Sequence, residues 1–168
     1  VGSEMCIRDS FSAVRLNSDI VTWPVIEGSL RRVKIPAAPN NRWVGLVLLF
    51  STKNGEPLAI MPDGVVQRMR VGATNGLGVK YMARENAKTV GILGSGWQAG
   101  TQLMATCAVR NIEMIKCFSP NPTNRLNFTQ EMTETLGVEM MAVNSAKEAV
   151  SGVDIVPVSY THLTLPTN

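Results

Sequence analysis

The run Gly94-Ser95-Gly96-Trp97-Gln98-Ala99 constrains this chain more than any other stretch. It is a G-x-G-x-x-A turn set between an apolar segment at 89–93 and an amphipathic segment at 97–110. In that setting the first glycine permits a tight turn, and the second lets backbone approach a pyrophosphate. The alanine allows the helix to pack closely on the strand. The amides of residues 95–98 then face the phosphates at the positive end of the helix. Gly94, Ser95, Gly96, Trp97, Gln98 and Ala99 are therefore candidate cofactor-binding residues, and a purely structural Gly-rich turn is the competing reading.

The pattern around the turn supplies the context that such a motif needs. A strand is expected at 89–93 and a helix at 97–110, with Ala99, Leu103 and Cys107 on one face. A second strand follows at 114–119, then a helix at 124–136 with Phe128, Met132 and Leu136 at four-residue spacing. Gly137 is placed to cap that helix. A third strand is expected at 138–143, a capping-box start for a short helix at Ser145 and Glu148, and a fourth strand from 153 to 156. This βαβαβαβ order with short connections implies a parallel sheet with helices on both faces. At the end of the second strand an acidic side chain would bind a bare ribose diol, but residues 119–125 read Ser-Pro-Asn-Pro-Thr-Asn-Arg with no acid. Ser119, Asn121 and Arg125 suit a 2′-phosphate better, which favours NADP over NAD. Alternatively, Ser119 and Asn121 cap the next helix and Arg125 is a solvated charge.

Ahead of residue 88 the pattern is different. A basic, Pro-containing stretch carries Arg31, Arg32, Lys34, Pro36 and Pro39, and two short apolar runs at 44–50 and 58–61 flank Asn54-Gly55. That dipeptide is a strong hairpin signal, and Pro57 is tolerated at the start of the second strand. Residues 66–86 place Ala73, Leu77 and Tyr81 at helical spacing. Gly72, Gly76 and Gly78 would each cost that helix about 1 kcal/mol relative to alanine, so they serve close packing or a ligand. The fold class is α/β: a partial Rossmann-type parallel sheet preceded by part of an α+β domain.

Both ends stand apart. VGSEMCIRDS at the start and PVSYTHLTLPTN at the end resemble translated sequencing-library adapter, so residues 1–10 and 157–168 are set aside from the fold and the chain is expected to be a slice of a longer gene. Cys6 and His162, the single histidine, fall in those ends and receive no role. The net charge of +3 comes from scattered Lys and Arg, which gives nucleic-acid binding little support. The longest apolar run, 43–50, is too short to cross a bilayer. Three cysteines without a Cys-x-x-Cys pair argue against a disulfide framework or a metal site, and a reducing, cytoplasmic setting is expected.

Residues 58–64 (Leu-Ala-Ile-Met-Pro-Asp-Gly), 69–74 (Met-Arg-Val-Gly-Ala-Thr), 80–84 (Lys-Tyr-Met-Ala-Arg), 94–99 and 152–156 (Gly-Val-Asp-Ile-Val) together resemble the ornithine cyclodeaminase/mu-crystallin family. The resemblance spans nearly all of 44–156. Within that family, the Trp23-Pro24, 31–34 and 62–70 stretches are similar to bacterial members labelled as a subunit of tyramine oxidase. The resemblance implies a homodimer in which a split substrate and dimerisation domain, here part of 11–88, wraps a Rossmann domain, here the N-terminal part at 89–156. It implies hydride transfer between NAD(P) and the carbon–nitrogen bond of an amino acid or imine, as in cyclodeaminases, ketimine reductases and amino acid dehydrogenases. A non-catalytic NAD(P)-binding accessory protein on the same scaffold, of the tyramine oxidase kind, is the alternative.

Residue roles follow from the same resemblance. Arg70 occupies the position of the arginine that holds the substrate carboxylate, a task that suits the paired donors of a guanidinium. Arg15 is a second substrate-binding candidate by order along the chain. Lys34 is the candidate catalytic lysine, with a basic solvated loop as the alternative. Thr74 bonds cofactor phosphate or ribose, or else its own helix backbone. Asp154 is read as structural. A chain lacking the later strands is expected to be inactive by itself.

Overall fold

Antiparallel pairs make up the first of two units, Val1–Gln67. The computed structural model describes residues 2–8, 10–17, 20–26, 28–30, 32–35 and 45–159. Gly2–Arg8 (β1) and Phe11–Asn17 (β2) lie side by side. Ile20–Thr22 (β3), Val25–Ile26 (β4), Ser29–Leu30 (β5) and Val33–Ile35 (β6) form two small pairs, β3 with β6 and β4 with β5. Gly45–Ser51 (β7) and Pro57–Pro62 (β8) form the expected hairpin and complete a four-stranded sheet in the order β1-β2-β7-β8. Gly55 turns the chain at φ +73°, with its amide on the Ser51 carbonyl at 3.0 Å. Pro57 stands first in β8, opposite Phe50, beside the register irregularity at Leu49/Phe50.

Within residues 1–10, set aside above as resembling translated adapter, β1 pairs with β2 from Gly2↔Asn17 to Arg8↔Phe11. The outer edge of β2 presents a row of backbone donors and acceptors, which any extended neighbouring chain satisfies whatever its origin.

Asp63–Met82 (α1) begins directly after β8 and runs into the second unit, Arg68–Asn168. Its packing bears out the close-packing role expected for two of its glycines. Ala73, Leu77 and Tyr81 are exposed, whereas Gly72, Gly76 and Val79 are buried. A methyl built on Gly72 would sit 2.5 Å from the Thr101 carbonyl oxygen, and one on Gly76 would sit 2.9 Å from the Ala105 Cβ. Two glycines one turn apart let two helix backbones approach more closely than a Leu/Tyr face would, and they win that face. Gly78 has open space around it and takes no part. Asn75 Nδ2 adds a polar stitch, donating to the Gln102 carbonyl at 3.2 Å and to Thr106 Oγ1 at 3.1 Å. At the C-terminus of α1, the Arg110 guanidinium donates to the carbonyls of Lys80, Ala83 and Arg84 at 2.8–3.0 Å.

Thr89–Leu93 (β9), Trp97–Val109 (α2), Met114–Phe118 (β10), Pro122–Leu136 (α3), Glu139–Ala142 (β11) and Ala146–Val150 (α4) follow close to the expected bounds. The strands form a parallel sheet in the order β11-β10-β9. Gly137 caps α3 in the left-handed region at φ +65°, as expected. The Ser145 Oγ accepts the Glu148 amide at 3.1 Å, while the returning Glu148 carboxylate accepts from the Asn144 amide at 3.0 Å.

Alternation along β9 divides the core. Val90 and Ile92 join Ala99, Leu103, Ile115, Cys117, Phe128 and Met132 on the face of α2 and α3. Leu93 packs with Val143 and Ala149 of the α4 side, where a methyl on Gly91 would meet the Ala149 carbonyl. Each fully buried side chain of this kind contributes roughly 1.5–3 kcal/mol. The fourth strand appears as two isolated parallel bridges, Val90↔Ile155 and Leu93↔Val158, on the free side of β9. Pro157 has no amide hydrogen to donate, so the ladder is interrupted there. Residues 157–159, also set aside from the fold, nonetheless run beside β9, with the Ser159 amide on the Leu93 carbonyl at 2.8 Å. No helix among the described residues is long and apolar enough to cross a membrane.

Candidate cofactor-binding site

The turn between β9 and α2 has two glycines with different reasons for being glycine. Gly94 has φ +112°, a conformation that disfavours any side chain. Gly96 adopts φ −91° and ψ −174°, ordinary extended backbone, and a methyl on it would meet nothing within 4 Å. Among the described residues nothing requires Gly96 to be bare, and the open space above it would admit a close-approaching ligand. No side chain caps α2 and its first turn carries no acid, which leaves the positive end of the helix open to an anion. Ala99 is fully buried against the sheet, as the motif demands. These features fit a dinucleotide pyrophosphate.

Ser95 lies beside the end of the second strand. Its Oγ donates to Ser119 Oγ at 2.7 Å, and Ser119 Oγ donates onward to the Asn121 carbonyl at 3.4 Å. Asn121 is the N-cap of α3, its Oδ1 accepting from the Asn124 amide at 2.9 Å with Pro122 next in the helix. Arg125 departs from the solvated-charge alternative. It is only 8% exposed, so it is not a solvated charge, and its donors turn inward. Nη1 donates to the Ser119 carbonyl at 2.9 Å and Nη2 to Asn144 Oδ1 at 3.3 Å, while the guanidinium covers the Phe118 ring at 5.6 Å. The side chain clamps the C-terminal ends of β10 and β11, the end of a parallel sheet where ligands bind. Its Nε is buried without a hydrogen-bond partner.

The other sequence candidates divide between the units. Thr74 Oγ1 donates to the Arg70 carbonyl at 3.0 Å, which is the backbone reading of that residue. Arg70 itself is exposed on α1. In the first unit Arg15 is held by a carboxylate of the protein, Nε to Asp63 Oδ1 and Nη2 to Oδ2, each at 2.7 Å. The fork that would take a substrate carboxylate is thus occupied by Asp63. Lys34 lies in β6 opposite Val21, and its side chain is outside the described residues. Asp154 is structural, as read: the amides of Lys88 and Thr89 and the Thr89 hydroxyl donate to it, and Arg84 pairs with it. The Lys88 amide contributes most to holding its carboxyl at about 2. Burial pushes the Cys117 thiol up to about 11, which makes it inert packing.

Two residues of this neighbourhood escaped the sequence reading. Asn144 follows the third strand and could have been found from the rule that strand ends line the crevice. Arg68, two residues before Arg70, stacks its guanidinium on the Trp97 ring at 4.7 Å. Nothing in its spacing announced that.

The ornithine cyclodeaminase/mu-crystallin family model matches residues 34–164. The chain belongs to this family. Curated relatives include a Δ1-pyrroline-2-carboxylate reductase of Bacillus cereus, 33% identical over 89% of this chain and 49% of its own length. An ornithine cyclodeaminase of Agrobacterium tumefaciens is 29% identical over 79% of this chain and 39% of its own. Among solved structures, Δ1-pyrroline-2-carboxylate reductase of Thermococcus litoralis, in complex with NADH and L-proline, superposes with a TM-score of 0.68. It is 34% identical and is matched over 93% of this chain and 50% of that one. An archaeal alanine dehydrogenase dimer with bound NAD shares the fold at a TM-score of 0.71 and 23% identity, over 93% of this chain and 44% of its own. The chain therefore spans about half the length of the reductases it matches. As an ornithine cyclodeaminase/mu-crystallin family member it carries the parallel sheet and Gly-rich turn of the NAD(P)-binding half.

Proposed function

We propose that the whole protein is an NAD(P)-dependent oxidoreductase acting on the carbon–nitrogen bond of an amino acid or imine. The observation that carries this reading is the bare Gly96 at the uncapped start of α2, in a chain of this family. Similarity to the pyrroline-2-carboxylate reductases at 33–34% identity favours a cyclic imine bearing a carboxylate as substrate. The bound nicotinamide supplies or accepts the hydride.

The residues of this chain bind and orient. Turn amides at 95–98 take the pyrophosphate, with Gly94 and Gly96 giving the approach and Ala99 setting the helix against the sheet. The Ser95–Ser119 hydroxyl pair, with Asn121 and the Arg125 clamp behind it, shapes the ribose end. Because no acid stands there, we favour NADP over NAD, with Arg125 acting as a fixed positive charge beneath Ser119. Arg70 pairs with the substrate carboxylate through two parallel donors. Lys34 is the proposed proton carrier, and Arg15, oriented by Asp63, supports the substrate side. Thr74 braces the helix that carries Arg70. The likeness to members labelled as a tyramine oxidase subunit is one of kinship and carries no activity here. We further place the protein in the cytoplasm as a homodimer, with the domain division at residues 11–88 and 89–156.

Titration of the whole gene product with NADPH and NADH, followed by nucleotide absorbance with pyrroline-2-carboxylate, tests this reading. Tight NADPH binding and imine reduction that is lost in Arg70→Ala, with cofactor affinity retained, is the expected result. Absence of binding by both nucleotides would reduce the Gly-rich turn to a structural one.

A further inference from the structure

Most described arginines with known contacts rest on oxygen acceptors. Arg15 pairs with Asp63 and Arg84 with Asp154, Arg110 rests on helix carbonyls, and Arg125 donates to Ser119 and Asn144. Arg68 differs. Its guanidinium rests on an aromatic face instead of oxygen acceptors, 4.7 Å from the Trp97 ring centroid, and its Nε, like that of Arg125, is buried without a hydrogen-bond partner. No carboxylate among the described residues forms an ion pair with it.

Its location makes that arrangement electrostatically incomplete. Trp97 opens α2, and Arg68 Nη2 lies 3.0 Å from where a methyl on Gly100 would stand, so the guanidinium is seated on the first turn of the helix. A cation near a helix N-terminus is disfavoured by the helix dipole, by roughly 0.3–1 kcal/mol, unless an anion sits between the two. The same turn has no capping side chain and no acid. The aromatic face explains how the cation is held, since stacking on tryptophan orients a guanidinium. It provides no counter-charge. Gly100 provides the seat: a side chain there would meet both Arg68 Nη2 and the Met132 sulfur at 3.2 Å.

We propose that Arg68 is a cofactor-binding residue, a guanidinium held on Trp97 and seated by Gly100 so that it neutralises the pyrophosphate gathered at the Gly94–Gly96 turn. This rests on the dinucleotide reading of that turn and adds to it a side-chain charge supplied by α1. The backbone amides give the phosphates directional bonds, and Arg68 gives them charge.

The test uses two probes, inorganic pyrophosphate and NADPH, titrated against the protein by tryptophan fluorescence, with Trp97→Phe identifying the Trp97 signal. Arg68→Met keeps the aliphatic stem over the ring and removes the charge. Both affinities are expected to fall about tenfold or more, the ordinary loss for a charged hydrogen-bonding partner, and the salt dependence of binding should flatten. Arg68→Lys should recover part of the loss. Gly100→Ala, which leaves Arg68 present but fills its seat, should weaken binding in the same direction, with the thermal midpoint monitored for all variants. If Arg68→Met binds both probes as tightly as wild type, Arg68 is a packing clasp, and the proposal is overturned while the dinucleotide reading stands. A loss of NADPH affinity that tracks a loss of thermal stability, with pyrophosphate affinity unchanged, also overturns it. Failure of wild type to bind either probe removes both readings.

Discussion

Gly72→Ala and Gly78→Ala make the same chemical change six residues apart in one helix, and the packing of α1 sends them in opposite directions. Alanine is favoured over glycine in a helix interior by about 0.8–1 kcal/mol, and both variants gain this. At Gly78 the added methyl meets nothing within 4 Å, so the gain stands alone and the variant should be more stable by up to about 1 kcal/mol. At Gly72 the methyl would lie 2.5 Å from the Thr101 carbonyl oxygen and 2.7 Å from the Thr101 carbonyl carbon and Cβ. Ordinary carbon contacts begin near 3.5 Å, so α1 and α2 would have to separate by about 1 Å. The obstacle is backbone and cannot rotate aside. Overpacking of this kind costs about 1–3 kcal/mol. Because the propensity gain is common to both variants, their difference isolates the steric cost. Urea denaturation followed by circular dichroism should place Gly72→Ala about 1–3 kcal/mol below Gly78→Ala. Equal midpoints would refute the close α1–α2 approach, and with it the seating of Arg68.

Gly96→Val should leave thermal stability near wild type, since the space above Gly96 is open, yet weaken NADPH binding at least tenfold by filling the pyrophosphate approach; a titration showing unchanged affinity would count against the turn as a phosphate site. Arg110→Ala removes the donors that satisfy three carbonyls at the end of α1 and should destabilise by about 1–3 kcal/mol in the same urea assay. Asp154, held at about 2 chiefly by the Lys88 amide, contributes stability that is present above the ordinary carboxyl value near 3.8 and is lost as pH falls through about 2. Carboxyl titration by NMR should find its midpoint well below 3.8, and Asp154→Asn should remove that acid-range dependence.

Much of the second unit is legible in the sequence. The turn at 94–99, the Asn121 and Ser145 caps, Gly137 and the apolar spacings in α2 and α3 are local signals, each acting within one or two turns of chain. The hairpin around Gly55 is readable for the same reason. The helical spacing of Ala73, Leu77 and Tyr81 finds α1 but not its packed face, because those three side chains are exposed. Here the contact is made by glycines, which carry no hydropathy signal. Arg125 is read as reaching outward because its partners, the Ser119 carbonyl and Asn144, come from two different strand ends.

For 89–156, local sequence suffices for the order of strands and helices, the parallel sheet that such an order requires, and the bare turn on which a dinucleotide can sit. These follow from backbone conformation and periodicity over short stretches. Tertiary contacts alone settle that Gly72 and Gly76, but not Gly78, pack against α2, that Asp63 occupies the Arg15 fork, and that open strand edges recruit residues 2–8 and 157–159. In each case the deciding partner is supplied by chain far away in sequence, where short-range pattern carries no information.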